Sequence, residues 1–177
     1  MATINWVADP THSEVGFKVK HLMFTNVSGK FKNFSISAQS ASDNFDAPQI
    51  SFTAETASID TGNEQRDGHL KSPDFFDAEK YPTISYTSTA YNKLDDDGNY
   101  ELVGNLTILD VTKPVKLAVE FGGLAKDPWG NTKAGFTITG KINRKDWGLN
   151  WNAALETGGV LVSEEVRINA EVQLVKA

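Results

Sequence analysis

Apolar residues return at every second position in segment after segment of this chain. That period confines it to sheet, because side chains alternate between two faces along a strand and not along a helix. Val15, Phe17 and Val19 alternate with Glu14, Lys18 and Lys20, and Phe34, Ile36 and Ala38 with Ser35, Ser37 and Gln39. The pattern recurs at Ile50, Phe52 and Ala54, at Ile84 and Tyr86, at Leu102, Leu106 and Ile108, and at Val115, Leu117, Val119 and Phe121. It closes the chain at Phe136, Ile138 and Ile142 and at Val166, Ile168, Ala170, Val172 and Leu174. With a first strand near Ile4 to Ala8, the spacing predicts eight or nine strands.

Clusters of Asp, Asn, Gly and Pro separate the strands. Asp95-Asp96-Asp97-Gly98-Asn99 reads as a hairpin between antiparallel neighbours, its Gly supplying a positive φ. Gly122-Gly123 and Gly158-Gly159 lack the strand-to-helix setting of a phosphate loop and read as strand bends or loops. The polar stretch from Asn63 to Lys71 predicts a short helix that stops before Ser72-Pro73, and a second short helix is expected near His21 to Thr25. No repeat or linker interrupts the 177 residues, which predicts one domain over 1–177 that buries about 70% of its unfolded surface. The expected fold class is all-β. Antiparallel strands with one apolar face close into a barrel or stack as a sandwich, and both arrangements hide the strand edges. A small barrel is filled by its own side chains or holds one ligand, and an apolar inner face fits both.

Composition removes several classes of function. The balance of 17 basic against 23 acidic residues, a net charge of -6, argues against a nucleic-acid binder. Without Cys there is no disulfide, thiolate nucleophile or iron–sulfur ligand. No run approaches the roughly 20 apolar residues of a membrane-spanning helix, so any contact with a membrane is expected to be transient. The N-terminal stretch lacks a basic segment followed by an apolar one, and the expected location is the cytoplasm.

No catalytic constellation stands out, and neither a metal nor a cofactor is expected. His12, His21 and His69 are the only histidines, and their spacing does not force them together as an H-E-x-x-H helix would. There is no G-x-S-x-G elbow, and Ser13 faces away from the adjacent His12 on a strand. A lipid- or metabolite-modifying enzyme using these histidines as base or metal ligands is the alternative reading. Two segments mix cations with apolar surface. Arg66 and His69 lie beside Leu70, Phe75 and Phe76, and Arg144 lies beside Trp147. A cationic rim next to apolar surface suits an amphiphile, since Arg grips a carboxylate or phosphate with two parallel hydrogen bonds.

Four motifs in order resemble the YceI-like family of polyisoprenoid-binding, lipocalin-like bacterial proteins. The first is WVADPTHSEVGFKVKHLMFTNVSGKF, with Trp6, Asp9, His12, Phe17, His21 and Phe31 at matching positions. ASIDTGNEQRDGHLKSPDFFDAEKYPTISY is similar to the family's most specific stretch, through Asp60, Arg66, Asp67, His69, Phe75, Phe76 and Pro82. GNLTILDVTKPVKLAVEF and FTITGKINRKDWGLNW complete the set, with Asp110 standing where the family commonly has Gly and expected to take the left-handed conformation there. The resemblance implies an extended eight-stranded antiparallel barrel that holds an isoprenoid or fatty-acyl chain, often in a homodimer and without established catalysis. On this reading Phe17, Val19, Phe31, Phe52, Phe75, Phe76, Phe136 and Trp147 are candidate cavity walls. Arg66, His69 and Arg144 are candidates for the rim that meets a polar head.

Overall fold

The computed structural model describes residues 3–22, 25–42, 45, 47–151 and 162–177. Its strands are β1 (Ile4–Ala8), β2 (Glu14–His21), β3 (Thr25–Phe31), β4 (Phe34–Ser40), β5 (Gln49–Glu55) and β6 (Ile59–Asp60), then β7 (Thr83–Lys93), β8 (Asn99–Ile108), β9 (Val111–Lys126), β10 (Thr132–Asn143) and β11 (Val162–Lys176). One helix, α1 (Glu64–Lys71), and two 3-10 turns, Thr56–Ser58 and Arg144–Trp147, complete the described elements.

All pairings are antiparallel, and the order β1-β4-β5-β7-β8-β9-β10-β11 returns to its start because β11 also pairs with β1. The result is the expected closed eight-stranded barrel. The other three strands are the upper parts of bent ones. The C-terminal end of β11 pairs with β1, through Leu174 to Lys176, while its earlier residues pair with β2, so β1 and β2 form one interrupted stave. In the same way β3 leads into β4 and β5 leads into β6, with β2 pairing to β3 and β3 to β6.

The interruption between β1 and β2 is tied down by hydrogen bonds, since a break leaves backbone groups without a ladder partner. Asp9 N–H donates to the Gln173 carbonyl at 2.8 Å, and Gln173 N–H donates to Ser13 Oγ at 3.0 Å. The Asp9 carboxylate accepts from Lys133 Nζ on β10 at 2.9 Å and from Thr11 N–H at 3.0 Å, and it pairs with His12 Nδ1 at 2.9 Å. One carboxylate thus fastens the kink to the neighbouring wall.

The lower half of the lumen, the half enclosed by β1, is filled. Trp6 is 0% exposed, and its indole Nε1–H donates to Ser40 Oγ at 2.9 Å. Phe136 stacks on Phe121 with ring centroids 5.2 Å apart, Phe45 lies 4.8 Å from Phe136, and Tyr91 stacks on Tyr100 at 4.5 Å. Burying each such ring contributes about 1.5–3 kcal/mol.

Two local expectations give way. Among the described residues the helix expected near His21 to Thr25 is not seen, since His21 and Thr25 are a register pair at the ends of β2 and β3; Met23 and Phe24, like Gly158-Gly159, lie outside the described residues. In the two-residue turn from β8 to β9 the positive φ, 57°, falls on Leu109 and not on Asp110. Gly98 takes φ 90° in the β7–β8 hairpin as the turn reading required, and Gly123 takes φ 107° at the bulge in β9, where Gly122 is the extra residue opposite β10.

Lys133 first, then His12 and Thr11, hold the Asp9 carboxyl far below the ordinary carboxylate value of 3.8. A depressed folded-state value contributes stability that is present above the unfolded value and is lost as pH falls towards the folded one. The wild-type protein should therefore lose thermal stability on acidification from about pH 4 to about pH 2, and Asp9→Asn should lose less over that interval while starting from a lower Tm. Parallel melting curves against pH for the two proteins check this.

Candidate functional site

Above the packed half the barrel encloses a cavity of about 510 Å³. Phe17 and Val19 of β2, Phe31 of β3 and Phe52 of β5 line it, as do Arg66 and His69 of α1, Phe75 and Phe76 just beyond the helix, and Arg144. Phe17 faces Gly29 across the β2–β3 pair, and a Cβ on Gly29 would fall on the Phe17 ring, so the missing side chain makes the room that this ring occupies. Aromatic rings continue round the wall. Phe31 lies 5.9 Å from Phe17 and 6.1 Å from Phe76, and at the mouth His69 is 4.6 Å from Trp151 and 5.1 Å from Phe75.

Helix α1 covers one side of the mouth. The Asn63 side chain caps it by accepting from Arg66 N–H at 3.0 Å, Glu64 and Asp67 fall in its first turn, and His69 and Lys71 fall in its last, as the helix dipole favours. No residue of α1 is fully buried, and Leu70 packs half-buried against the core. Thr61 adds polar anchors: its N–H donates to Asp67 Oδ1 at 2.9 Å, and Arg66 donates from Nε to Thr61 Oγ1 at 2.7 Å and from Nη2 to the Thr61 carbonyl at 2.8 Å. His69 Nε2 pairs with Asp74 Oδ2 at 2.8 Å.

Two expected wall residues do not line this cavity. Phe136 belongs to the packed lower half, because its register partners Phe121 and Val172 lie at that end. Trp147 is 3% exposed and its Nε1–H donates to the Leu106 carbonyl at 2.9 Å, so the indole is a core residue outside the lumen wall.

Arg144 lines the cavity, but its hydrogen-bonding face is turned away from any ligand. At 3% exposure it donates from Nε to the Ser163 carbonyl at 2.9 Å, from Nη1 to those of Leu149 at 2.6 Å and Trp151 at 2.8 Å, and from Nη2 to that of Val162 at 3.3 Å. Burial lowers the pKa of its guanidinium and Glu164 opposes the shift. The side chain therefore clamps the chain before residue 152 to the start of β11, and its place as a rim residue is corrected to a positioning one.

The electrostatics of the lining differ from those of the whole protein. Although acidic residues outnumber basic ones 23 to 17, no Asp or Glu among the described residues lines the cavity, whereas Lys20, Arg66 and Arg144 do. Lys20 and Arg66 make no ion pair among the described residues. Sequence reasoning passed over Lys20, His21, Leu149 and Trp151, all of which line the cavity. His21 continues the inward period of Phe17 and Val19 and was legible from it; Trp151 carried no such signal. The three histidines do not converge: His21 and His69 both line the cavity, but His12 precedes β2 while His21 ends it, a separation of roughly 30 Å along an extended strand. Among the described residues no group of His, Asp and Glu is arranged to hold a metal ion, and no helix is long and apolar enough to cross a membrane.

Comparison with known proteins gives a consistent picture. The family model for the YceI-like domain matches residues 6–174. A UPF0312 protein of Staphylococcus aureus is 36% identical over 170 residues, covering 96% of each chain. The crystal structure of the Campylobacter jejuni YCEI protein aligns with a TM-score of 0.77 at 35% identity, again over 96% of each chain. A polyisoprenoid binding domain from Saccharophagus degradans shares the fold, with a TM-score of 0.71 at 14% identity over 97% of this chain and 98% of that one.

Removing the Arg144 clamp should leave four carbonyls without their donor in a site closed to water. Arg144→Met is expected to lower stability by about 3 kcal/mol, read from denaturant unfolding, and to raise amide exchange selectively around Leu149–Trp151 and Val162–Ser163. Unchanged exchange there would remove the clamp from the account.

Proposed function

The chain belongs to the YceI-like family, and on that premise we propose that it binds the chain of an amphipathic lipid in the upper cavity, with an anionic head at Arg66. The observation that carries this reading is an apolar cavity that has Arg66 at its mouth and, among the described residues, no Asp or Glu in its lining, in an acidic protein. The name of the Saccharophagus degradans domain, a polyisoprenoid binder of the same fold, supports a long hydrocarbon as the ligand class. The reading is one of binding, as a carrier or a store, with no chemical step.

Affinity comes from desolvation of the tail. At about 0.8 kcal/mol per buried methylene, a dozen such groups contribute roughly 10 kcal/mol, against association costs of about 4–15 kcal/mol. The tail thus offsets an association cost in the middle of that range, and the head decides what remains. Arg66 is held by Thr61 through Nε and Nη2, so its guanidinium is already oriented beside the mouth and loses little freedom on meeting a carboxylate or phosphate.

A fatty acid and the alcohol of the same length separate the two contributions. Arg66→Ala should weaken the acid by about tenfold, near 1.4 kcal/mol, and leave the alcohol within about twofold. Salt should shrink the difference, since at about 1 M the screening length falls to about 3 Å. Titration by displacement of a fluorescent fatty acid measures both, and equal losses for acid and alcohol would overturn the assignment of the head site.

A further inference from the structure

We infer that Tyr86 backs the floor of the cavity from below, under Phe52 and Leu106, and so sets the length of chain the cavity accepts, an inference that rests on the lipid-binding reading above. Residues directly opposite one another in an antiparallel sheet share a face, so the register divides the lumen into rows. Phe52, Tyr86 and Leu106 form one row, and Ile84 and Ile108 stand in the row above it. Ile84, Ile108, Phe52 and Leu106 all line the cavity, whereas Tyr86 does not. In the row below, Gly104 pairs with Val115, and neither lines it. The open space therefore ends between these two rows.

The Tyr86 ring lies just beneath that level. Its ring leans down over Gly104, where an added Cβ would stand 2.6 Å from Cζ and 2.8 Å from the phenol oxygen. The phenol donates to the Val115 carbonyl at 3.1 Å, and the residue is 5% exposed. Swinging the ring aside would strand a buried hydroxyl, at a cost of about 1–3 kcal/mol. Gly104 makes the space and the Val115 carbonyl fixes the ring in it, so the floor is held from two sides. Beneath it lies the packed half, which leaves a chain nowhere to continue.

The enclosed volume then limits the ligand. At roughly 30 Å³ for each water-sized group, about 510 Å³ takes on the order of 17 methylene-sized groups. A chain of that length fits entirely, and carbons beyond it must remain outside the mouth.

The test is displacement of a fluorescent fatty acid by saturated fatty acids of stepwise increasing length. For the wild-type protein, affinity should rise by up to about fourfold per methylene and level off on the order of 17 carbons. Tyr86→Ala should move that break to chains longer by about four carbons, the residual cavity being smaller than the deleted ring because its walls relax. Tyr86→Leu serves if the alanine variant does not fold, and Leu106→Phe, which thickens the floor from the neighbouring strand, should move the break to shorter chains. A folded Tyr86 variant whose break is unchanged overturns the inference, as does an unchanged break in Leu106→Phe. A wild-type protein that binds no fatty acid of any length removes the lipid-binding reading itself, and the two failures are thereby distinct.

Discussion

Everything in this molecule depends on β11 serving two partners. Its C-terminal end pairs with β1 and its earlier residues with β2, and without that double pairing the sheet would have two open edges and no lumen. The break this imposes between β1 and β2 is sealed by Gln173 and Asp9. Closure creates an inside, and the inside has to be filled by protein or left for something else.

The barrel does both, at different heights. Below the Tyr86 row the aromatic rings of Trp6, Phe45, Phe121 and Phe136 pack against one another. Above it, bent staves and a polar helix held by Thr61 enclose an apolar space with Lys20 and Arg66 among its lining residues. The filled half gives the fold its stability, and the hollow half can therefore carry apolar surface that does not pack. Arg144 joins the two tasks, since the carbonyls it ties together belong to Leu149, Trp151 and Val162, which also line the cavity.

The alternation of apolar residues carried the strands in plain view, because period two has a single structural meaning, but it left barrel and sandwich open, and the closed barrel was legible only through the family resemblance. It could not show which stretches of the inner face meet other side chains and which meet empty space. Phe52 and Phe136 have the same local pattern, yet one lines the cavity and the other stacks on Phe121, a difference set by height in the barrel. Arg144 was visible as a cation near apolar residues, but its four carbonyl acceptors come from segments on either side of residues 152–161 and no spacing announces them. The kinks at Asp9–Ser13 and at Thr56–Ser58 were hidden for a similar reason, since a strand bent in two keeps its alternation on both sides of the bend.

The most direct test of the account is native mass spectrometry of the purified protein, followed by organic extraction and identification of whatever leaves with it. The account predicts one long-chain amphipathic lipid per chain, released chemically unchanged. A protein at its bare mass that also takes up neither added isoprenoids nor added fatty acids would contradict it.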